Sequence, residues 1–140
     1  MQRAFAPVVA LGLVFLPGCG ASTSSDGAVR TTLERGVAQI RAPQAENQLH
    51  DHLVRTLAHL RSERASSTNG RRGRTLAIRG FTSTLRGIDA RLEMARNDSG
   101  NLEASVRDAR RADRDLRRGA RFLRAAGRAF GISIGKLNGF

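Results

Sequence analysis

Three histidines lie close together in the sequence and are the side chains best suited to binding a metal ion: His50, His52 and His59. On a helix, His50 and His52 point about 200° apart, and His52 and His59 are separated by about 10 Å of rise, so neither pair can share one ion. His59 and Glu63 are four residues apart and therefore lie on one helical face. Two ligands do not make a structural zinc site. We therefore expect no metal and no cofactor, and a metal- or ligand-binding bundle using His52, His59 and Glu63 is the weaker alternative.

The remaining candidates for chemistry are also weak. The segment from Gly131 to Leu137 has glycines that superficially suggest a phosphate-binding loop, but it has three residues between them where four are needed. Leu137 also stands where a hydroxyl must bind magnesium. Most carboxylates lie within helical reach of an arginine, as Asp51 does of Arg55, which is typical of a solvated helix surface. No serine or cysteine has a local base signature, so we expect the protein not to be an enzyme.

Positive charge is the clearest chemical property of the rest of the chain. The formal net charge is +12, and all but Lys136 of the 24 basic residues are arginines. The preference for arginine over lysine is typical of GC-rich coding, but the charge itself attracts anionic lipid, anionic wall polymer or nucleic acid. We predict an anion-binding surface at Arg71, Arg72, Arg74, Arg110, Arg114, Arg117, Arg118 and Arg121. The alternative is a solvated basic surface with no dedicated ligand.

The first twenty residues have the features of an export signal. A short basic start at Met1–Arg3 precedes thirteen apolar residues, Ala4–Leu16. This run is too short to span the roughly 30 Å hydrocarbon core of a bilayer, but it suits a signal peptide. Leu16-Pro17-Gly18-Cys19 resembles the lipobox of bacterial prolipoproteins, which has an aliphatic residue three positions before the cysteine and a small residue just before it. The resemblance implies a diacylglycerol on Cys19 and cleavage before it, although Pro17 departs from the usual small or β-branched residue.

Two other fates of this segment stay open. An ordinary signal peptidase could cut after Gly20 and release a soluble protein, or Cys19 could be an incidental apolar residue of an uncleaved anchor. As the single cysteine, Cys19 has no partner for an internal disulfide. We divide the chain into a signal peptide (1–18), the lipidated cysteine with a flexible tether (19–27), a helical bundle (28–130) and a glycine-rich apolar tail (131–140).

Apolar residues from Val29 onward recur at intervals of three and four, which predicts helices. The absence of Trp and Tyr also favours helix packing over an aromatic-rich sandwich. Pro43 either splits the first helical stretch or kinks it. The predicted fold class is therefore all-α: an antiparallel bundle of three long helices, or four with a break at Pro43.

The long helices carry a heptad pattern after a loop predicted at Ser66–Gly73. The predicted seam is Ile78, Phe81, Leu85, Ile88, Leu92 and Ala95. Glycines recur every seven residues beside it, at Gly73, Gly80 and Gly87, and we expect them on the outward face, where each costs about 1 kcal/mol in helix propensity.

The short connection Asn97–Gly100 predicts an antiparallel hairpin with a last helix at Asn101–Ala129. This register pairs Leu92 with Val106, Ile88 with Ala109 and Phe81 with Leu116. Asp113 then faces the seam, either buried with an arginine partner or, as we prefer, exposed by a slight rotation of the helix.

The C-terminal tail has glycines at every fourth position and apolar residues between them. It either docks on the bundle or frays, and the alternative is a contact with a membrane or a partner protein. Taken together, the sequence favours a membrane-anchored, non-enzymatic structural or interaction module of the cell envelope. The alternative is a secreted soluble helical protein that binds wall polymer, lipid headgroups or nucleic acid; export makes nucleic acid an improbable partner.

Overall fold

The computed structural model describes residues 25–96 and 101–137, which form four α-helices and no strand. The helices are α1 (Ser25–Arg41), α2 (Glu46–Ser62), α3 (Thr68–Arg96) and α4 (Leu102–Ala129). The predicted all-α class is confirmed. The predicted signal peptide and Cys19 lie outside the described residues. Because α1 begins at Ser25, the last residues of the predicted tether are helical.

Pro43 separates α1 from α2, so the structure has four helices where three long ones were the first expectation. Proline lacks a backbone N–H and disfavours helical geometry in the residue before it. The ladder of α1 accordingly ends with Ala42 N donating to Ala38 O at 3.0 Å. The two short helices pack together through a stripe that is almost fully buried: Val29, Leu33, Val37 and Ile40 from α1, and Leu53, Leu57 and Leu60 from α2.

The start of α3 corrects the loop predicted at Ser66–Gly73, because the helix already begins at Thr68. Ser67 Oγ accepts a hydrogen bond from Gly70 N at 2.8 Å, which satisfies one of the free N–H groups of the first turn. Asp26 of α1 reaches the same turn and accepts from Ser66 N at 2.8 Å. The pKa of Asp26 is lowered chiefly by the Ser67 hydroxyl; burial opposes this, and the backbone N–H groups of Ser66 and Ser67 lower the pKa further.

The face of α3 that packs on α4 consists of small residues. We call this face the small-residue seam, and its members are Gly73, Ala77, Gly80, Thr84 and Gly87. A Cβ added at Gly80 would lie 2.7 Å from Leu123 Cδ2, and one added at Gly87 would lie 2.6 Å from Leu116 Cδ2. The prediction that these glycines face outward is therefore wrong.

Two stripes with the same seven-residue spacing run along α3, and this explains the error. The glycine stripe packs on α4, whereas the stripe of large residues contains Phe81, which packs against α1. Phe81 is fully buried, and its ring lies against Gly36 of α1, where an added Cβ would be 2.5 Å from Phe81 Cζ.

The register of the α3–α4 hairpin also differs from the prediction. Leu116 packs over Gly87, and Ala109 is exposed, so it makes no buried pair with Ile88. Val106 is 41% exposed and leaves the predicted pairing with Leu92 largely open to solvent. Asp113 is 48% exposed and pairs with Arg117 at 3.0 Å, so the rotated, exposed alternative is confirmed for this residue.

The C-terminal tail docks on the bundle as far as Leu137. Gly131 has φ = 68°, and Ile132 N donates to Gly127 O at 2.9 Å while Gly131 N donates to Arg128 O at 3.2 Å. These two bonds form the glycine-dependent Schellman helix end. They turn the chain back, so that Ile134 and Leu137 join the core at 9% and 1% exposure.

α3 is the central helix of the bundle. α1 and α2 pack together and against α3, and α4 packs along a different face of α3. α2 makes no contact with α4, and α1 makes few. Every core residue in the described part of the chain lies between Val29 and Leu137.

Candidate functional site

The solvent side of α4 is formed almost entirely by arginine. We call this surface the arginine face, and its members are Arg107, Arg110, Arg111, Arg114, Arg117, Arg118, Arg121, Arg124 and Arg128. Eight of these residues are exposed, and Arg124 is partly exposed. The face thus presents nine cationic groups from a single helix.

Helical geometry explains why these arginines share one side. At 100° per residue they span an arc of about 140°, directly opposite the buried set that includes Ala112, Leu116 and Leu123. Along the helix axis they extend over about 32 Å. α4 is therefore amphipathic in an unusual way: one side is a seam against α3, and the other is a continuous cationic strip.

Few carboxylates interrupt this strip. The acids of α4 are Glu103, which precedes the arginines, and Asp108, Asp113 and Asp115 on the flanks. Within the described part of the chain, Arg117 is the member of the arginine face with an ion-pair partner, Asp113. A solvated helix surface normally mixes both signs of charge, so the separation of signs on α4 calls for an explanation beyond solubility.

The arrangement also has an energetic cost. Each arginine of the face has another arginine three or four residues away. Such like-charge neighbours destabilise a helix by roughly 0.2–0.5 kcal/mol per pair. An anion lying on the face would relieve this repulsion.

Three of the arginines also surround a shallow depression. Arg117, Arg121 and Arg124 form its rim around Ala120, and its volume is about 460 Å³. Ala120 is 3% exposed and forms an apolar floor. Guanidinium groups bind phosphate and carboxylate oxygens through two parallel hydrogen bonds, so this depression offers one anionic group several donors at once.

The structure brings together five of the eight arginines predicted from sequence. Arg110, Arg114, Arg117, Arg118 and Arg121 all lie on the arginine face. The prediction missed Arg107, Arg111, Arg124 and Arg128. These follow the same spacing of three and four residues, so the periodicity of the basic residues was the signal that could have found them.

The other three predicted arginines lie apart, near the start of α3. Arg74 donates from Nε to Leu60 O at 2.7 Å and from Nη2 to Arg61 O at 2.8 Å, which satisfies carbonyls at the end of α2. Arg71 donates to Ser66 O and to Thr68 Oγ1. Both side chains thus fix the α2–α3 connection, whereas Arg72 is exposed on α3.

The histidines do not converge on a metal site. Among the described residues, no three His, Cys, Asp or Glu side chains are placed to hold an ion. Glu63, the suggested partner of His59, accepts from Thr32 Oγ1 at 2.6 Å. His50 lies between Asp51 at 3.1 Å and Asp89 at 3.2 Å.

The His50 group borders a cleft between α2 and α3. The cleft has a volume of about 650 Å³ and is lined by Asn47, His50, Asp51, Asp89, Leu92, Glu93 and Arg96. Its carboxylates lie away from the arginine face, so acidic and basic groups are concentrated on different parts of the bundle.

Comparison with known proteins adds no family. No family model matches the chain, and no curated protein or solved structure is significantly similar to it. Within residues 25–96 and 101–137, no helix is both long enough and apolar enough to cross a membrane.

Proposed function

We propose that the protein is a lipid-anchored, non-enzymatic interaction module of the bacterial cell envelope, which binds an anionic envelope component through the arginine face of α4. The observation that carries this proposal is the continuous strip of nine arginines on one solvent-facing side. A dense array of one sign raises the local concentration of anionic groups and accelerates their capture. The anchor itself is supported by the lipobox-like Leu16–Cys19 segment.

A binding role fits the way α4 is built. The small-residue seam of α3 holds α4 closely along its inner side, and this leaves the whole outer side for contact with a partner. The repulsion between neighbouring arginines is present in the free protein and is reduced when anions lie beside them. A surface that is costly in isolation and improved by a partner is expected of an interface.

The anchor is tested by the intact mass and detergent partitioning of the protein expressed in a bacterial host, beside Cys19→Ala. The expected result is a diacylated chain beginning at Cys19 that partitions into detergent, with both properties lost in the variant. An unlipidated, released chain would contradict the anchor and support the secreted alternative, in which the same arginine face acts from solution.

The binding face is tested separately with the chain beginning at Ala21, which retains every residue of the described core. Envelope fragments should retain this chain at low salt and release it at high salt, because exposed charges are screened. Arg114→Gln with Arg121→Gln should weaken retention strongly. The matched control, Arg35→Gln with Arg64→Gln, removes the same charge from exposed positions elsewhere and should have little effect. Equal loss in both variants would show that net charge alone is responsible and would contradict a dedicated face.

A further inference from the structure

The first turns of α4 expose apolar side chains beside the arginine face. Leu102 is 78% exposed and Val106 is 41% exposed. Val106 lies four residues before Arg110 and therefore next to it on the helix surface. A helix that binds a membrane interface buries apolar side chains at the acyl-chain boundary, while its Lys and Arg residues are attracted to anionic headgroups.

The whole arginine face is accessible to a flat surface. The outer side of α4 is not covered by another described helix, because its arginines are exposed, α2 makes no contact with α4 and α1 makes few. A plane laid against α4 therefore meets the arginines along their full length of about 32 Å. A narrow polymer would need only one row of them, whereas a bilayer surface can use the width of the strip as well.

The depression rimmed by Arg117, Arg121 and Arg124 suits a phosphate headgroup. Its rim offers guanidinium groups from three positions, and its floor at Ala120 is apolar. Arginine binds phosphate in a bidentate manner. One lipid phosphate seated here would bring its glycerol and acyl chains against the same helix.

We propose that α4 docks lengthwise on an anionic phospholipid bilayer, with the arginine face on the lipid phosphates and with Leu102 and Val106 in the acyl-chain boundary. This inference rests on the proposed function, since it names the anionic partner of the arginine face. The two apolar residues distinguish a bilayer from a soluble polyanion, because only a bilayer offers them an apolar environment.

The ends of the bundle are placed to allow this orientation. A Cβ added at Gly70 would meet Asp26 of α1, and one added at Gly73 would meet the ring of Phe130, which follows α4. The start of α1 therefore lies at the same end of the bundle as the end of α4. A lipid on Cys19 would stand at most about 20 Å of extended chain from Ser25, so this end of α4 stays close to the membrane.

The experiment uses the chain beginning at Ala21, with its helical content checked by circular dichroism. Binding is measured to vesicles of phosphatidylcholine, to vesicles that also contain phosphatidylglycerol, and to soluble polyphosphate. The parent chain should bind the anionic vesicles and not the neutral ones. Arg114→Gln with Arg121→Gln should weaken vesicle binding about 30-fold, since each basic residue near an anionic surface contributes about a fivefold gain. The matched control, Arg35→Gln with Arg64→Gln, should change it by less than about threefold.

The apolar residues supply the deciding measurement. Leu102→Ser with Val106→Ser should weaken binding to anionic vesicles about tenfold, because the variant loses apolar transfer into the interface. The same variant should bind polyphosphate as the parent does. If the parent binds polyphosphate through the arginine face but ignores vesicles, or if vesicle binding is indifferent to the serine substitutions, bilayer docking is wrong and the proposed anion-binding function stands. If neither ligand is bound, both proposals fall.

Discussion

At the scale of single residues, glycine has the largest effect on how this bundle packs. A glycine inside an exposed helix costs about 1 kcal/mol relative to alanine. In α3 the absence of a side chain instead makes room for a large side chain: Leu123 of α4 at Gly80, Leu116 of α4 at Gly87, and Phe130, just after α4, at Gly73. The two effects oppose each other, and the contact distances decide which prevails.

Gly87→Ala should therefore destabilise the protein by about 1–3 kcal/mol, as expected for overpacking, although alanine is the better helix former. The new methyl group would lie 2.6 Å from Leu116 Cδ2. Chemical denaturation of Gly87→Ala, Leu116→Ala and the double variant measures the coupling. We expect the double variant to lose clearly less unfolding free energy than the two single variants lose in sum. Strict additivity would show that Gly87 is not reserved for Leu116.

Asp26 of α1 stabilises the start of α3 by accepting hydrogen bonds from Ser66 and Ser67. Its pKa is lowered chiefly by the Ser67 hydroxyl, with help from the backbone N–H groups of Ser66 and Ser67. A carboxyl whose pKa is lower in the folded state stabilises the fold above its unfolded-state pKa, and this contribution is lost as the pH falls through the folded-state value.

Asp26→Asn should consequently reduce the acid sensitivity of the melting temperature below about pH 4, where the parent chain loses this contribution. Melting curves recorded across the acid range provide the measurement. Asp108→Asn removes an exposed carboxyl that has no hydrogen bond among the described residues, and it serves as the control. Equal acid profiles for the parent and Asp26→Asn would contradict the role of the hydrogen bonds that Asp26 accepts from Ser66 and Ser67.

At the scale of helices, the sequence reveals the elements better than their faces. Periodicity predicted the helical stretches, but it left open whether Pro43 splits or kinks the first one; the structure shows a split into α1 and α2. The sequence does not determine which face of α3 packs on α4, because Gly73, Gly80 and Gly87 recur with the same period as Phe81 and Ile88. Hydrophobicity favours the large residues as the seam with α4, but Phe81 packs against α1 instead. That competition depends on long-range packing, which no local pattern records.

The arginine face was only half predicted for a related reason. The sequence shows the basic residues of α4. Which of them share one solvent-facing side depends on which residues of α4 are buried. Charge alone also predicts that Arg71 and Arg74 belong to this surface, because they too are basic. Arg74 instead satisfies backbone carbonyls of α2, a contact between residues 13 and 14 positions apart that charge counting does not reveal.

The repulsion within α4 predicts a variant that is more stable but binds less well. Arg114 has four arginine neighbours at helical spacing: Arg110, Arg111, Arg117 and Arg118. Arg114→Gln should therefore raise the free energy of unfolding by about 1 kcal/mol at low ionic strength, because glutamine has a similar helix propensity. Thermal melting should show this gain at low salt and its loss at high salt.

Arg128→Gln is the matched control for that experiment. Arg128 has one such neighbour, Arg124, and it interacts favourably with the negative end of the helix dipole in the last turn. No gain in stability is expected from this variant. If both variants are stabilised equally, local repulsion along the arginine face is not the cause.

At the scale of the whole molecule, the helices separate charges of opposite sign. The outer side of α4 presents arginines, whereas the carboxylates Asp51, Asp89 and Glu93 line the cleft between α2 and α3. The bundle is thus electrically polarised across its thickness, and an anionic surface should orient it before any specific contact forms. The arginine face would then lie on the surface while the acidic cleft between α2 and α3 faces away.

This orientation can be measured because the chain beginning at Ala21 contains no cysteine, so that one introduced thiol accepts one label. An environment-sensitive fluorophore is attached at Arg118→Cys in the arginine face or at Val54→Cys, which is 46% exposed on α2. Anionic vesicles should shift the emission of the label on α4 to shorter wavelength and leave the label on α2 unchanged, because only the α4 side enters the interface. Equal shifts at both positions would mean that the protein binds in no preferred orientation, and the polarity of the bundle would then serve only to keep it soluble. A shift confined to α2 would reverse the assignment and make the cleft around His50 the membrane-facing side.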